Sequence, residues 1–476
     1  MNSQDIKALM PLLIVLATVV IVMLGIAFRR SHRLAAALTL GGMALAAASL
    51  PLVAVMAPQQ VGDLIIVDRF ALFLLGLILC SGIAIAALSY SYLEMQSGPH
   101  EEYYLLLLTA VMGSAVLTVS THFASFFLGI EILSVSLYAL AAYQRHNERG
   151  VEAGVKYLIL AAVSSAFILF GMALVYAAVG IMEFSQIAYR ASEPGAHGLV
   201  VTSGIVLILA GLGFKLAAVP FHLWTPDVYE GAPAPVTAFI ATISKGAVFA
   251  LVLRFFSPTG FRPGSALFTV VTIIAISSMF AGNLLALLQR NVKRLLAYSS
   301  ISHMGYLLVT LLAAGPLGTG AASFYLAAYF VTTLGAFGVV TILSTRDRDA
   351  DRLEDYQGLA WRRPWLAGVF TLMLFSLAGI PLTAGFIGKF YVAAAGVGSG
   401  LWLLVVALVI NSALGLFYYL RVIVALYSRA DASQPSGEPA SRLGNAVLAV
   451  LAVLLVWLGV YPGPLLAIIQ RVIGRT

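Results

Sequence analysis

The chain has 476 residues, 61% of them hydrophobic and 10% charged, with a mean hydropathy of +0.99. A soluble protein of this size carries about 25% charged residues, so a water-facing globule is excluded and one polytopic membrane domain is expected. The net charge of +7 does not point to nucleic acid, because the arginines cluster in short loops between apolar runs, as positive-inside topology distributes them.

A membrane span needs roughly 20 apolar residues. In chain order the sequence predicts about fourteen: 10–28, 34–57, 70–93, 103–121, 123–143, 154–180, 199–222, 234–257, 265–289, 294–314, 319–344, 364–393, 400–428 and 444–470. The first runs from Pro11 to Phe28 and ends in Arg29-Arg30, not in a small-residue cleavage site, so it reads as a span and not as a signal peptide. Thr121-His122 is a thin separator between spans four and five, and Asp431 to Ser441 reads as a polar loop.

Loop charges set the expected orientation. Arg29, Arg30 and Arg33 follow span one, Arg145 and Arg149 span five, and Arg290, Lys293 and Arg294 span nine. Arg346, Arg348, Arg352, Arg362 and Arg363 follow span eleven, and Arg429 and Arg442 span thirteen. All follow odd-numbered spans, hence one side, expected to be cytoplasmic, with both termini outside. The opposite loops hold chiefly Arg69, Arg190 and Arg262, while the acidic Glu94, Glu101 and Glu102 after span three count little.

Several chemistries are unsupported by the residues present. The single cysteine, Cys80, rules out a disulfide framework or a cysteine-ligated cluster, and the seven histidines form no metal-spaced pair. No G-x-G-x-x-G, P-loop or CxxC pattern occurs. Electron transfer and nucleotide chemistry are therefore not expected within this chain.

Four ionisable residues sit deep in apolar spans: Glu131, Lys215, Lys245 and Lys389. Each costs about 2.5–3.5 kcal/mol at a helix centre, so together they cost on the order of 10 kcal/mol before hydration and pairing. The chain has six lysines, Lys7, Lys156, Lys215, Lys245, Lys293 and Lys389, and half of them lie deep, whereas its loops use arginine almost throughout. A desolvated lysine can lose its proton and an arginine cannot. Bringing a lysine's proton affinity towards neutrality costs about 4–5 kcal/mol. Moving one charge across about 150–200 mV takes a similar amount, about 3–5 kcal/mol.

The prolines fit this picture. Pro220 cannot donate to the Leu216 carbonyl, so the helix is expected to break just after Lys215 and free backbone groups there. Pro381, with Gly379, Gly385 and Gly388, does the same before Lys389. "KYLILAAVSSAFILFG" from Lys156 can be laid on "FYLAAYFVTTLGAFGV" from Phe324, and interrupted spans at matching places in inverted halves mark transport sites. The residues favour proton transfer at Glu131, Lys215, Lys245 and Lys389; a static ion pair such as Lys215–Glu131 is the plainer alternative. His303 reads as a proton relay or as a packed histidine, His222 as either, and His122 as interfacial. Glu152 and Lys156 are four apart on one helix face, as a surface ion pair or a coupling element. Tyr and Trp near span ends read as interface anchors.

At these residues the chain resembles a known family. "FKLAAVPFHLWTPDVYEGAPAPVTAFIATISK", "KRLLAYSSISHMGYLL" and "GIPLTAGFIGKFY" are similar to the antiporter-like membrane subunits of proton-pumping NADH:quinone oxidoreductase, respiratory complex I. "TPDVYEGAP", Lys389 where subunit M carries glutamate, and the lack of room for subunit L's lateral C-terminal helix set the chain apart from those two siblings.

The resemblance implies an all-α polytopic fold of fourteen helices with two inverted five-helix repeats, each containing a broken helix. Residues 1–102 would hold the three N-terminal helices, 103–257 and 258–430 the two units, and 431–476 a polar loop and the last helix. It implies that Glu131 pairs with Lys215, that Lys245 connects onward, that His303 lies on the polar axis and that Lys389 is terminal. Glu152 and Lys156 match a pair that couples neighbouring subunits. It implies no cofactor in this chain; NADH, FMN, iron–sulfur clusters and quinone belong to partner subunits. Its partners would be other membrane subunits, including subunit M and small membrane subunits, and the lipid bilayer. Two rivals remain at this point: a subunit of a cation/proton antiporter or membrane-bound hydrogenase on the same fold, and a structural subunit whose buried charges only set packing.

Overall fold

The computed structural model describes residues 2–96, 98–191, 198–256, 264–313, 315–429 and 441–473. In hydrocarbon a backbone must satisfy its own polar groups, and long apolar segments do so as helices. After a short helix Ser3–Ala8 come α1 (Met10–Phe28) and α2 (His32–Ala54). A small antiparallel hairpin follows, β1 (Gln59–Val61) on β2 (Ile65–Val67), with Gln59 opposite Val67. Then come α3 (Arg69–Glu94), α4 (Glu101–Val119), α5 (Phe123–Ala141) and α6 (Glu148–Val179). The first interrupted span is α7 (Gly198–Leu216) and α8 (Trp224–Gly231). It is followed by α9 (Ala234–Phe256), α10 (Ala266–Leu287), α11 (Val292–Leu312) and α12 (Gly315–Leu343). The second interrupted span is α13 (Pro364–Ala378) and α14 (Ala384–Gly398), and α15 (Trp402–Tyr427), α16 (Arg442–Val460) and α17 (Gly463–Ile473) complete the chain.

Among the described residues thirteen helices are long and apolar enough to cross a membrane. The paired half-helices α13 and α14, of 15 residues each, supply the further crossing that the sequence predicts over 364–393. The chain is an integral, multi-pass membrane protein. α9, α11 and α12 form the buried centre, and α1, α2 and α16 lie at the periphery with much of their apolar surface exposed. That distribution suits a bilayer, where an outward apolar face carries no penalty.

Three expectations are corrected. Span 444–470 is two helices, because Tyr461-Pro462-Gly463-Pro464 ends α16 at Val460. α6 begins at Glu148, ahead of the apolar run, with Asn147 capping it through a 3.4 Å bond from the Gly150 N–H. Lys293 is not a loop cation; it is in the first turn of α11 and wholly buried. Arg262 and nearly all of the expected polar loop, 431–440, lie outside the described residues.

Both chain ends lie on one face. Gln59 Nε2 donates to Asp5 Oδ1 at 3.1 Å, and Arg69 Nη1 to the Arg471 carbonyl at 3.4 Å. An even number of crossings requires this. On another face the start of α6 meets α8, with Arg149 reaching Glu230 at 3.5 Å, and the start of α11 meets the loop after α12, with Asn291 Nδ2 donating to Asp351 at 2.7 Å.

Candidate functional site

The two interrupted spans end in the same way. At α7 the Ala218 N–H bonds the Gly213 carbonyl at 2.8 Å and the Ala217 N–H bonds that of Phe214 at 2.9 Å, with Ala217 at φ 60°. At α13 the Ile380 N–H bonds the Phe375 carbonyl at 3.0 Å and the Gly379 N–H that of Ser376 at 3.1 Å, with Gly379 at φ 85°. A left-handed residue after the last turn, with crossed bonds back into it, is a Schellman-type stop. Pro220 and Pro381 follow within a few residues, as helix-stopping prolines do. Lys215 is in the last turn of α7, so the expected break just beyond it is where the structure puts it.

Lys215 is 6% exposed, and its Nζ donates to Ser134 Oγ at 2.6 Å. Glu131 is half-buried and accepts from Ser165 Oγ at 2.5 Å. Glu131 and Lys215 do not come within direct ion-pair distance of each other, although the Glu131 charge acts on Lys215 through space. The connection runs along α5, where Ser134 stands three residues after Glu131 and so on the same face.

Lys245 directly follows a π-helical turn, Ile240–Ser244, inside α9. Such turns push a side chain out of the ordinary helical register and recur at functional sites. Its Nζ donates to Ser300 Oγ at 2.6 Å and stands 5.5 Å from the Tyr229 ring centre. Ser300 Oγ is also 2.8 Å from Tyr329 Oη. His303, 4% exposed, has Nδ1 at 2.7 Å from Tyr325 Oη and Nε2 at 3.4 Å from Tyr419 Oη.

Lys389 is 7% exposed. It donates to the Leu377 and Ala378 carbonyls and to Ser412 Oγ, each at 2.9 Å. Those carbonyls are the last of α13, freed by the break, so a cation there meets the negative end of a helix dipole. Its Nζ also stands 5.3 Å from the Tyr306 ring centre.

One helix organises these contacts. Ser300, His303 and Tyr306 are spaced by three on α11 and share a face. Ser300 meets Lys245 at one end and Tyr306 meets Lys389 at the other, with His303 between. Six residues of helix rise about 9 Å. The structure thus brings Lys245, His303 and Lys389 onto one buried polar line.

Glu152 and Lys156 form the expected pair at 2.7 Å, and Lys156 also holds Asp227 at 2.9 Å. Arg294 bonds both Asp227 and Glu230 at 2.8 Å. Lys293 donates to the Glu230 carbonyl at 3.0 Å, the Ala232 carbonyl at 2.6 Å and Asp349 Oδ2 at 2.6 Å. Sequence reasoning did not single out Asp227, Glu230, Lys293, Arg294 or Asp349. "TPDVYEG", with two carboxylates inside an interrupted span, was the available signal. His222 sits in the bend between α7 and α8, and His122 caps α5 through a 3.1 Å bond from the Ala124 N–H.

A nearly all-helical membrane bundle with two interrupted spans, each beside a buried lysine, is the architecture of antiporter-like membrane subunits. The chain belongs to the NADH:quinone oxidoreductase/Mrp antiporter transmembrane family, whose model matches residues 120–415. Within that family it groups with NADH-quinone oxidoreductase subunit N. The relative of that name from Ectopseudomonas mendocina is 50% identical, over 99% of this chain and 97% of its own length. The one from Methylococcus capsulatus is 48% identical, over 98% and 95%. A chain of respiratory complex I from Thermus thermophilus, solved with bound aureothin, is 34% identical and superposes with a TM-score of 0.83, covering 96% of this chain and 99% of that one.

Proposed function

We propose that this chain is a membrane-arm subunit of proton-pumping NADH:quinone oxidoreductase that moves protons along its buried Glu, Lys and His residues. The observation that carries the reading is the α11 face, which links Lys245 to Lys389 through Ser300, His303 and Tyr306. A charge change in a neighbouring subunit acts at Glu131 and Lys215. Lys215 changes its proton affinity, the proton passes by Lys245 and His303, and Lys389 exchanges it with the other side. Glu152 and Lys156 couple this chain to its neighbour.

In this reading the chain acts as part of a translocase and holds no redox centre. NADH, FMN, the iron–sulfur clusters and quinone are bound by partner subunits, and electron transfer happens there. Subunit M and small membrane subunits are its neighbours. The membrane is a bacterial inner membrane, with both termini on its outer side. Residues 103–257 and 258–430 are the two inverted units, preceded by 1–102 and followed by 431–476.

The test uses inside-out vesicles carrying Lys215→Ala, with assembly of the complex checked on a native gel. NADH-driven quinone reduction and acidification are followed together. Both fall in the assembled variant if Lys215 is a working proton site. Wild-type levels of both would make the lysine structural and end this mechanism. Absence of NADH-driven acidification in wild-type vesicles, with sodium-dependent exchange that needs no NADH, would favour the cation/proton antiporter reading.

A further inference from the structure

The ion pairs beside α8 form an unbroken series that runs from α6 onto α8 and across to α11. Lys156 and Glu152 are partly in the open, their side chains 42% and 63% exposed. From Lys156 the series runs to Asp227 Oδ2 at 2.9 Å, from Asp227 Oδ1 to Arg294 Nη1 at 2.8 Å, and from the same nitrogen to Glu230 Oε2 at 2.8 Å. Asp227 and Glu230 both belong to α8, an eight-residue helix.

The rest of α8 touches the buried polar line. Tyr229, two residues after Asp227, is fully buried. Its ring faces Lys245 Nζ at 5.5 Å, and its Oη is 3.4 Å from Ser300 Oγ. At the other end of α8, Trp224 donates to the carbonyl of Phe214, next to Lys215, at 3.0 Å. Trp224 also stacks on Tyr157, next to Lys156, with ring centres 4.7 Å apart and planes 9° apart. The helix backbone seats directly on the start of α6: a Cβ on Gly231 would lie 2.3 Å from the Arg149 carbonyl oxygen. Lys293 holds the far end through the Glu230 and Ala232 carbonyls.

We propose that α8 is a lever and Asp227 its handle. A neighbouring subunit that changes the charge state of the exposed Glu152–Lys156 pair alters the balance of Lys156 and Arg294 on Asp227. With Lys156 withdrawn, Asp227 is held by Arg294 alone, and α8 is drawn towards α11. Tyr229 then shifts against Lys245 and Ser300. The partner surface that fits is one carrying an ionisable group able to pair with either member of Glu152–Lys156. Asp227 contacts none of Lys215, Lys245 or Lys389 and is a positioning residue. The inference rests on the proton-transfer reading above and adds the route by which the surface reaches it.

A double-mutant cycle on the assembled complex tests this, with Lys156→Gln, Asp227→Asn, the double variant and Asp227→Glu in inside-out vesicles. Each single neutral variant is expected to lower NADH-driven quinone reduction and acidification about two- to thirtyfold. The double variant should fall no further than the worse single, because both act through one contact. Asp227→Glu should recover most of the rate. A wild-type rate in assembled Asp227→Asn, or a double variant whose loss is the product of the two singles, overturns the lever. If Asp227→Asn does not assemble, the exposed Lys156→Gln carries the test in a cycle with Tyr229→Phe, where the same non-additivity is required. Assembled Lys215→Ala, run in parallel, separates the two failures. A wild-type rate there sinks the proton-site reading itself, whereas a dead Lys215→Ala beside a wild-type Asp227→Asn sinks the lever alone.

Discussion

Ser300 is the hydroxyl on which three side chains converge: Lys245 at 2.6 Å, Tyr329 at 2.8 Å and Tyr229 at 3.4 Å. A hydroxyl both accepts and donates, so it can hold the ammonium and pass a proton onward. A hydrogen bond to a charged group contributes about 1.5–3 kcal/mol, which corresponds to roughly ten- to a hundredfold in rate if it acts in the limiting step. Ser300→Ala should therefore slow NADH-driven acidification by about tenfold or more, and Ser300→Thr should retain most of it. A wild-type rate in assembled Ser300→Ala would remove Ser300 from the path. At this scale the four in-span ionisable residues were readable from the sequence, because each stands alone against an apolar background. Ser300, Tyr229 and Tyr329 were not, since serine and tyrosine occur throughout such spans and nothing local marks the ones that meet a lysine. Lys293 was hidden for a different reason. Its neighbours Arg290 and Arg294 made it look like a loop cation, and its burial comes from Asp349 and the end of α8, 56 to 63 residues away in sequence.

The two helix stops differ in one residue that matters. Ala217 occupies the left-handed position of the first and Gly379 that of the second. A side chain there costs roughly 1–2 kcal/mol, which the first stop tolerates. The second has no room for one: a Cβ on Gly379 would lie 2.9 Å from Lys389 Cδ and 3.2 Å from its Nζ. Gly379→Ala should thus add about 1–2 kcal/mol of backbone strain and push Lys389 off the Leu377 and Ala378 carbonyls. Quinone reduction and acidification in the assembled variant should fall well below those of Ala217→Gly, which is expected to stay near wild type. Equal rates in the two variants would show that the lysine does not depend on its seat at the end of α13. The interruptions themselves were visible in advance through Pro220 and Pro381. The π-turn before Lys245 was not, because "ATISKG" has the composition of any apolar helix and the turn depends on tertiary packing. The division between α16 and α17 was passed over although Pro462 and Pro464 mark it, because the apolar run continues on both sides.

Across the whole molecule, one bond that ties the start of α3 to α9, the helix after the first interrupted span, is Asp68–Arg254. Asp68 caps α3, accepting from the Ala71 N–H at 2.7 Å, and receives both Arg254 guanidinium nitrogens at 2.8 and 2.9 Å. Arg254 belongs to the last turn of α9, so this bidentate pair joins elements far apart in the chain. Burial pushes the Asp68 carboxyl upward, but the Arg254 charge and the hydrogen bonds from Arg254 and Ala71 outweigh it and hold the carboxyl below its usual range. A carboxyl lowered in the folded state contributes stability that is complete above its unfolded value, about pH 4, and is lost as pH falls through the folded one. The pair is mostly buried, with 15% of the Asp68 and 11% of the Arg254 side chain exposed, so removing one partner should cost towards 3 kcal/mol, the lower end of the buried-pair range. Asp68→Asn isolates that charge, because asparagine caps a helix about as well as aspartate. The thermal midpoint of the detergent-solubilised complex, followed by release of this chain, should be lower in the variant by a constant amount between pH 5 and pH 8. The gap should narrow below about pH 4 as the wild-type carboxyl takes up its proton. A gap that instead widens towards low pH would mean that Asp68 is held neutral in the fold. The arginine would then be anchored by its contact with the Phe70 ring, 5.7 Å away, and not by the carboxylate.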